Sequence, residues 1–128
     1  RLDKKFSSAQ ETIALSAIYA ANHYSNVRGI ASLTESGTTP LLMSRLSSGL
    51  PIFGLSHNSE TLQKLSLCRG VIPLYFDAGA FDPDSVEMRA IEFLRDGGYL
   101  QKGDSILLTR GSVMGRSGST NIMKILPV

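Results

Sequence analysis

Apolar residues along the chain recur first at helical spacing and then in short runs, and this alternation continues over most of its length. The capping-box sequence Ser8-Ala9-Gln10-Glu11 precedes small and apolar residues spaced three and four apart, which predicts an alanine-rich amphipathic helix through about Tyr24. The following segment, Val27 to Leu33, is short, apolar and β-branched at two positions. It predicts a buried strand.

The same cycle of strand and helix is predicted twice more. Pro51 to Leu55 and Val71 to Phe76 are the next two strands. Caps, apolar spacing and terminal glycines predict the helices between and after them. The first of these helices is marked by Leu41, Leu42 and Leu46 and stops near Gly49. The second is capped by Asn58 or Ser59, carries Leu62, Leu65 and Leu67, and is ended by Gly70. The third is capped by Asp82, begins with Pro83 and ends at Gly97-Gly98, and its buried face consists of Val86, Ala90, Ile91, Phe93 and Leu94.

Two further apolar segments, Ser105 to Thr109 and Ile122 to Leu126, predict the last strands. Gly111 to Asn121 between them has no helical pattern, and a parallel crossover normally needs a helix, so we expect these two strands to be antiparallel neighbours. The first three strands, each followed by a helix, should be parallel. The pattern therefore predicts an α/β fold.

Composition excludes several classes of protein. A chain of 128 residues, 42% of them hydrophobic, predicts a single domain over residues 1–128. Its net charge of +2, from 13 basic and 11 acidic residues, argues against a nucleic-acid or membrane-surface partner. No apolar segment approaches the ~20 residues that span a bilayer.

The single cysteine and the first residue bear on the protein's location and extent. Cys68 has no second cysteine to pair with, which favours a reducing, cytoplasmic location, and its neighbours Leu65 and Leu67 predict a buried, inert thiol. The chain starts at Arg1 without a methionine or a signal region. We therefore expect a fragment of a longer protein.

A turn rich in hydroxyls follows the first predicted strand. Residues 34–39, here called the hydroxyl turn, contain four Ser or Thr residues and Gly37 before a predicted helix. Unpaired N–H groups at a helix N-terminus, together with such hydroxyls, suit a phosphate. Ordinary capping and turn formation is the alternative, and the lysine of a true P-loop is missing.

A second candidate segment, residues 110–121, is here called the glycine loop. It contains Arg110, Arg116, three glycines and several hydroxyls, and its arginines could grip an anion bidentately. Ligands of open α/β sheets bind at the carboxyl ends of the parallel strands, where both this loop and the hydroxyl turn should lie. An ordinary surface hairpin is the alternative.

The residues that could support catalysis or bind a metal form no such pattern. His23 and His57 lack a patterned nucleophile or acid and are interpreted as solvated or capping residues. One cysteine and two distant histidines give no metal-ligand spacing, so no metal site is predicted. The remaining candidates have structural explanations as turn, cap, paired or solvated residues: Asp77, Asp82, Asp84, Arg69 and Arg89.

The motifs, taken in order, resemble the C-terminal domain of pyruvate kinase over essentially the whole chain. Details such as Ala20-Ala21-Asn22-His23 make it most similar to the bacterial type II isoenzymes. The motifs are Thr34-Glu35-Ser36-Gly37-Thr38-Thr39, Ser44-Arg45 with Leu50-Pro51-Ile52, Arg69-Gly70-Val71 with Pro73, Lys102-Gly103-Asp104, Gly118-Ser119-Thr120-Asn121 and the initial Arg1-Leu2-Asp3.

This resemblance implies a three-layer α/β sandwich, with a mainly parallel five-stranded sheet, an antiparallel last strand and helices on both faces. It also implies a homotetrameric, cytoplasmic, glycolytic phosphotransferase that converts phosphoenolpyruvate and ADP into pyruvate and ATP, with Mg²⁺ and K⁺. The catalytic residues and metals would lie in a preceding barrel domain. This domain alone should therefore be inactive, with no catalytic residue and no cofactor of its own, and should contribute allosteric regulation and subunit contacts.

The resemblance also implies where a phosphorylated effector binds. The candidates are Thr34, Ser36, Gly37, Thr38 and Thr39 in the hydroxyl turn, Arg116, Ser117 and Gly118 in the glycine loop, and Arg89, which follows Phe81. The acidic Glu35, and Phe81 where some relatives have tryptophan, favour a sugar monophosphate or AMP over fructose 1,6-bisphosphate. The expected partners are this effector, the barrel domain and other copies of the chain, with no nucleic acid and no membrane.

Two other functions remain open from the sequence. The domain could be a purely structural tetramer-interface module whose effector site no longer works, which Glu35 and the alanine-rich first helix would suit. It could also be an independent small phosphosugar enzyme, although the sequence offers no evident base or nucleophile.

Overall fold

The computed structural model describes residues 8–46, 49–113 and 115–128. The Arg1-Leu2-Asp3 motif therefore lies outside the described residues. Helices and strands alternate along the chain. They are α1 (Ala9–His23), β1 (Val27–Leu33), α2 (Thr38–Leu46), β2 (Ile52–Ser56), α3 (Ser59–Leu65), β3 (Val71–Tyr75), α4 (Val86–Asp96), β4 (Ser105–Gly111) and β5 (Thr120–Pro127), with 3₁₀ turns at Ala78–Ala80 and Pro83–Ser85.

The five strands form one sheet in the order β3-β2-β1-β4-β5. The first four are parallel, and β5 pairs with β4 in the antiparallel sense, for example Thr109 with Met123. Both predictions of strand direction are confirmed. The chain reverses between β4 and β5 without a helix, as an antiparallel pair allows.

Two apolar cores, one on each face of the sheet, make this a three-layer structure. Ala17 of α1, Met43 of α2 and Leu65 of α3 are buried against one face. Ala90 and Leu94 of α4 are buried against the other. Strand residues alternate between the two cores, Leu107 facing the first and Leu108 the second, because successive side chains of a strand point to opposite faces.

Several details of the predicted helices are wrong. Helix α3 ends at Leu65, so Leu67 lies beyond the helix on which it was predicted, and its side chain is 89% exposed. Asp82 caps a 3₁₀ turn that begins at Pro83, and α4 starts only at Val86. Phe93 is 36% exposed and packs at the edge of its core on Phe76.

Cys68 is partly buried instead of buried, and its thiol lies 3.7 Å from the carbonyl oxygen of Lys64. It packs against the core beneath α3 in the turn that leads to β3. Within the described ranges, no helix combines the length and the apolar character required to cross a bilayer.

Candidate functional site

The hydroxyl turn connects the carboxyl end of β1 to the first residue of α2, as predicted. Its hydroxyls hydrogen-bond mainly within the turn. The backbone N–H of Gly37 donates to Thr34 Oγ1 over 2.8 Å, and that of Thr38 donates to Ser36 Oγ over 3.3 Å. Ser36 and Thr38 share a further hydroxyl bond of 3.0 Å. The turn is therefore a self-capped helix start, the structural role that these residue types commonly have.

Gly37 makes this tight turn possible. Its φ of +82° lies in the left-handed region that side chains disfavour. A Cβ at this position would also approach Thr61 Cγ2 to 3.2 Å and Leu65 Cδ2 to 3.4 Å. Both backbone conformation and packing against α3 thus require glycine here.

Some donors of the turn remain available to an anion. The N–H groups of Glu35, Ser36 and Thr39 have no acceptor within the described chain. Whichever way the bond between Ser36 and Thr38 runs, one of these two hydroxyl hydrogens is left over. These donors lie at the positive end of the α2 dipole, an arrangement that suits an anion.

The glycine loop closes tightly at its base. A Cβ on Gly111 would lie 2.4 Å from Ser119 Oγ, so the two ends of the loop meet at a distance that only glycine permits. Ser112 and Asn121 are joined by two hydrogen bonds, and Ser119 Oγ donates to the carbonyl oxygen of Arg116. Met114 lies outside the described residues.

The hydroxyl turn and the glycine loop face each other across one small pocket, as their positions in the sequence predicted. Gln10 from the first turn of α1 completes its wall. The space open to the centre of a water-sized sphere is about 20 Å³, which corresponds to about one water. A phosphate group is larger than one water, so part of it would extend into the open mouth of the pocket. The lining residues are Gln10, Leu33, Thr34, Glu35, Ser36, Gly111, Val113, Gly115, Arg116, Gly118, Ser119 and Thr120.

Most of the predicted effector residues lie at or beside this pocket. Thr34, Ser36, Arg116 and Gly118 line it, and Ser117 lines an adjoining depression that includes Ser8 and Ala9 at the start of α1. The other predicted residues of the turn do not line the pocket. Gly37 is buried beneath it, Thr38 bonds to Ser36, and the side chain of Thr39 is completely buried.

Arg89 lies elsewhere. Its guanidinium is 5.8 Å from the centre of the Phe81 ring and 3.2 Å from the carboxylate of Glu92. This group belongs to a depression at the end of β3 that includes Tyr75 and Phe93. The structure therefore brings Arg89 and Phe81 together, but not with the hydroxyl turn.

Glu35 introduces a negative charge into the pocket wall. Its carboxylate lies 3.6 Å from Nδ1 of His57, and its carbonyl oxygen accepts a hydrogen bond from Thr61 Oγ1. The partial pairing of Glu35 with His57 was missed from the sequence, where His57 was interpreted as solvated or capping. Because the two residues lie 22 positions apart along the chain, no local pattern signals the contact.

Arg110 was predicted to grip an anion, but it is bound to an acid on α4. Its Nε donates to Glu87 Oε2 over 2.7 Å, and Lys124 Nζ donates to Glu87 Oε1 over 3.0 Å. Burial alone would raise the pKa of Glu87, but hydrogen bonds and attraction from Arg110 and Lys124 outweigh it and hold the pKa below its ordinary value. Arg116 is therefore the arginine of the loop that faces the pocket.

The other ionisable candidates are structural. Asp77 and Asp82 each cap a 3₁₀ turn, which agrees with their interpretation as turn and cap residues although not with Asp82 as the cap of a longer helix. His23 stacks on Tyr19 and donates from Nδ1 to its carbonyl oxygen. In the part of the chain that the structure describes, no three His, Cys, Asp or Glu side chains come together as a metal site would need.

Comparison with known proteins identifies the family. Residues 11–126 match the family model described as "Pyruvate kinase, alpha/beta domain". The whole chain aligns with pyruvate kinase II of Salmonella typhimurium at 49% identity and with pyruvate kinase of Haemophilus influenzae at 45%, and in each case it covers 26% of the relative. A pyruvate kinase of Thermotoga maritima is 32% identical over 80% of this chain, which is 22% of that protein. The chain thus spans about a quarter of the length of these relatives. It belongs to the family of the pyruvate kinase α/β domain.

Proposed function

We propose that this chain is the effector-binding and subunit-contact domain of a pyruvate kinase. The observation that carries the proposal is the pocket in which the hydroxyl turn and Arg116 of the glycine loop face each other. The full-length protein would transfer a phosphoryl group from phosphoenolpyruvate to ADP in the cytoplasm, giving pyruvate and ATP. That chemistry would take place outside this chain, in a barrel domain.

The geometry supports binding of a phosphate monoester. The N–H groups of Glu35, Ser36 and Thr39 supply donors at the start of α2, and a Ser36 or Thr38 hydroxyl supplies another. Arg116 would approach from the opposite wall and could bond two phosphate oxygens at once. Binding of the ligand would exchange some internal bonds of the turn for bonds to phosphate.

The same pocket favours a particular class of effector. Glu35 in its wall would repel a second phosphate, whereas a carboxylate accepts hydrogen bonds from sugar hydroxyls. A sugar monophosphate or AMP therefore suits this pocket better than fructose 1,6-bisphosphate. The Mg²⁺ and K⁺ that the resemblance implies would bind in the catalytic barrel domain, outside this chain.

Regulation by such an effector would work through the assembled enzyme. In a homotetramer, a ligand that binds one state of the subunits better than another shifts the population toward that state. The expected consequence is a lower concentration of phosphoenolpyruvate at half-saturation.

The test uses the full-length protein. Saturation curves for phosphoenolpyruvate are measured with and without ribose 5-phosphate, glucose 6-phosphate, AMP and fructose 1,6-bisphosphate, and binding of each is measured by calorimetry. Ser36→Asp should abolish both binding and activation, because it places a carboxylate against the phosphate. Ser59→Asp is the matched control, since it adds the same charge at the N-terminus of α3, outside the pocket. Absence of binding by the parent protein, or equal binding by Ser36→Asp, would refute the proposal.

A purely structural module is the second candidate. It is favoured by the internal hydrogen bonds of the hydroxyl turn and by Glu35. It predicts a stable oligomer by sedimentation whose assembly and phosphoenolpyruvate response are unchanged by all four compounds.

A further inference from the structure

A charged cluster links helix α4 to the base of the glycine loop. Glu87 on α4 accepts hydrogen bonds on both carboxylate oxygens, from Arg110 at 2.7 Å and from Lys124 at 3.0 Å. The Glu87 and Arg110 side chains are only 19% and 16% exposed. A charge-assisted bond shielded from water in this way is stronger than an exposed ion pair.

Arg110 also hydrogen-bonds to a residue of the pocket wall. A second nitrogen of its guanidinium, Nη1, donates to the carbonyl oxygen of Gly111 over 2.9 Å. Gly111 lines the pocket and lies against Ser119, the residue at which the loop returns. The guanidinium therefore fixes the Gly111 peptide relative to α4, and with it the point from which the glycine loop extends over the hydroxyl turn.

We infer that Glu87 is a positioning residue of the effector pocket, which acts through Arg110 to hold the glycine loop in place to grip a phosphorylated ligand. The inference rests on the proposed function. When the loop is already held at its base, ligand binding costs less conformational entropy than when the ligand must order the loop itself. Loss of Glu87 should therefore weaken effector binding even though Glu87 does not line the pocket.

The experiment measures effector affinity in the full-length protein by calorimetry. The four compounds named above are titrated first, and the one that the parent protein binds most tightly is then used. Glu87→Gln and Arg110→Gln should each weaken its binding about fivefold, within the range reported for residues that modulate a site from outside it. The double variant should bind no more than about twofold worse than either single variant, because the two residues act as one unit.

Glu92→Gln is the matched control. It removes the same charge from the same helix, but its partner is the exposed Arg89, away from the pocket. Its affinity for the effector should stay within about twofold of the parent. Glu87→Asp keeps the charge but shortens the side chain by one methylene, so it should weaken effector binding as well. It replaces Glu87→Gln in the experiment if that variant does not fold. Thermal melts establish that each variant tested is folded.

Three results would overturn the inference. A folded Glu87 variant that binds the effector as the parent does would show that the cluster serves stability alone. Effects of Glu87→Gln and Arg110→Gln that multiply in the double variant would show that Glu87 does not act through Arg110. A parent protein that binds none of the four compounds would refute the proposed function, and this inference with it.

Discussion

The Glu87 cluster also makes a quantitative prediction for folding. Glu87→Gln in the 128-residue chain removes the negative charge between Arg110 and Lys124. At the observed Nε to Oε2 distance of 2.7 Å and an effective dielectric constant of about 20, the gross attraction is ~6 kcal/mol. Desolvation of the two groups offsets most of it, but the variant leaves the Arg110 charge partly buried without a counter-charge. We expect a loss of about 2 kcal/mol in the free energy of unfolding at neutral pH.

Lys124 is the internal comparison. It bonds to the same carboxylate, but its side chain is 44% exposed, so its ion pair is screened by water. Lys124→Gln should therefore cost less than about 1 kcal/mol. Because Glu87→Gln removes both ion pairs and Lys124→Gln removes one, the difference between their costs measures the buried pair of Glu87 with Arg110.

The pH dependence of the unfolding free energy provides a second, independent test of the Glu87 cluster. Because the folded-state pKa of Glu87 lies below its ordinary value of 4.5, its stabilising contribution is present above that value and is lost as the pH falls through the lowered pKa. The difference in unfolding free energy between the parent and Glu87→Gln should shrink over that acidic window.

Urea unfolding followed by circular dichroism at neutral pH and at a series of acidic values measures both quantities. Equal costs for Glu87→Gln and Lys124→Gln would refute the assignment of stability to the buried pair. A parent-to-variant difference that grows as the pH falls would contradict the direction of the pKa shift.

Three further predictions concern the packing and the pocket. Gly54→Ala places a Cβ 2.6 Å from the buried Leu65 Cδ1, so it should cost about 1–3 kcal/mol of unfolding free energy in urea titrations; a neutral result would show that Leu65 can move freely. Gly37→Ala strains a φ of +82° and crowds Thr61, so it should cost a similar ~1–3 kcal/mol and weaken effector binding, which unfolding and calorimetry check together. Glu35→Gln should raise the affinity for fructose 1,6-bisphosphate relative to fructose 6-phosphate by about tenfold, and an unchanged ratio of dissociation constants would refute repulsion by Glu35.

The sheet could be predicted from the sequence because its signals are local. Val27–Leu33 forms β1 with the predicted bounds, since an apolar, β-branched segment between turn residues suits a strand covered on both faces. The absence of a helical pattern after β4 was enough to predict the antiparallel β5. The same local rules failed at Leu67, which continues the apolar spacing of α3 although the chain has already turned toward β3.

The two halves of the candidate site were found in the same way, because strand order alone places both at the carboxyl edge of the sheet. The electrostatic partners of these segments were not predicted from the sequence. Arg110 and Glu87 are 23 residues apart, and Lys124 and Glu87 are 37 apart, so these contacts exist only once α4 has packed on the sheet. The position of Arg89 beside Phe81 likewise depends on how α4 packs against the segment after β3.

The different roles of the two arginines follow from the pleat of β4. Leu108 faces the core under α4, and Arg110, two residues later in the same strand, must point to the same side. A charged group on that side near the end of the strand needs a counter-charge from α4, and Glu87 in the first turn of that helix supplies it. Arg116 comes after the strand has ended, so no pleat directs it to α4, and it faces the pocket. The alternation of side chains along β4 therefore reaches Arg110, the arginine that positions the glycine loop, but not Arg116, the arginine proposed to bind the phosphate.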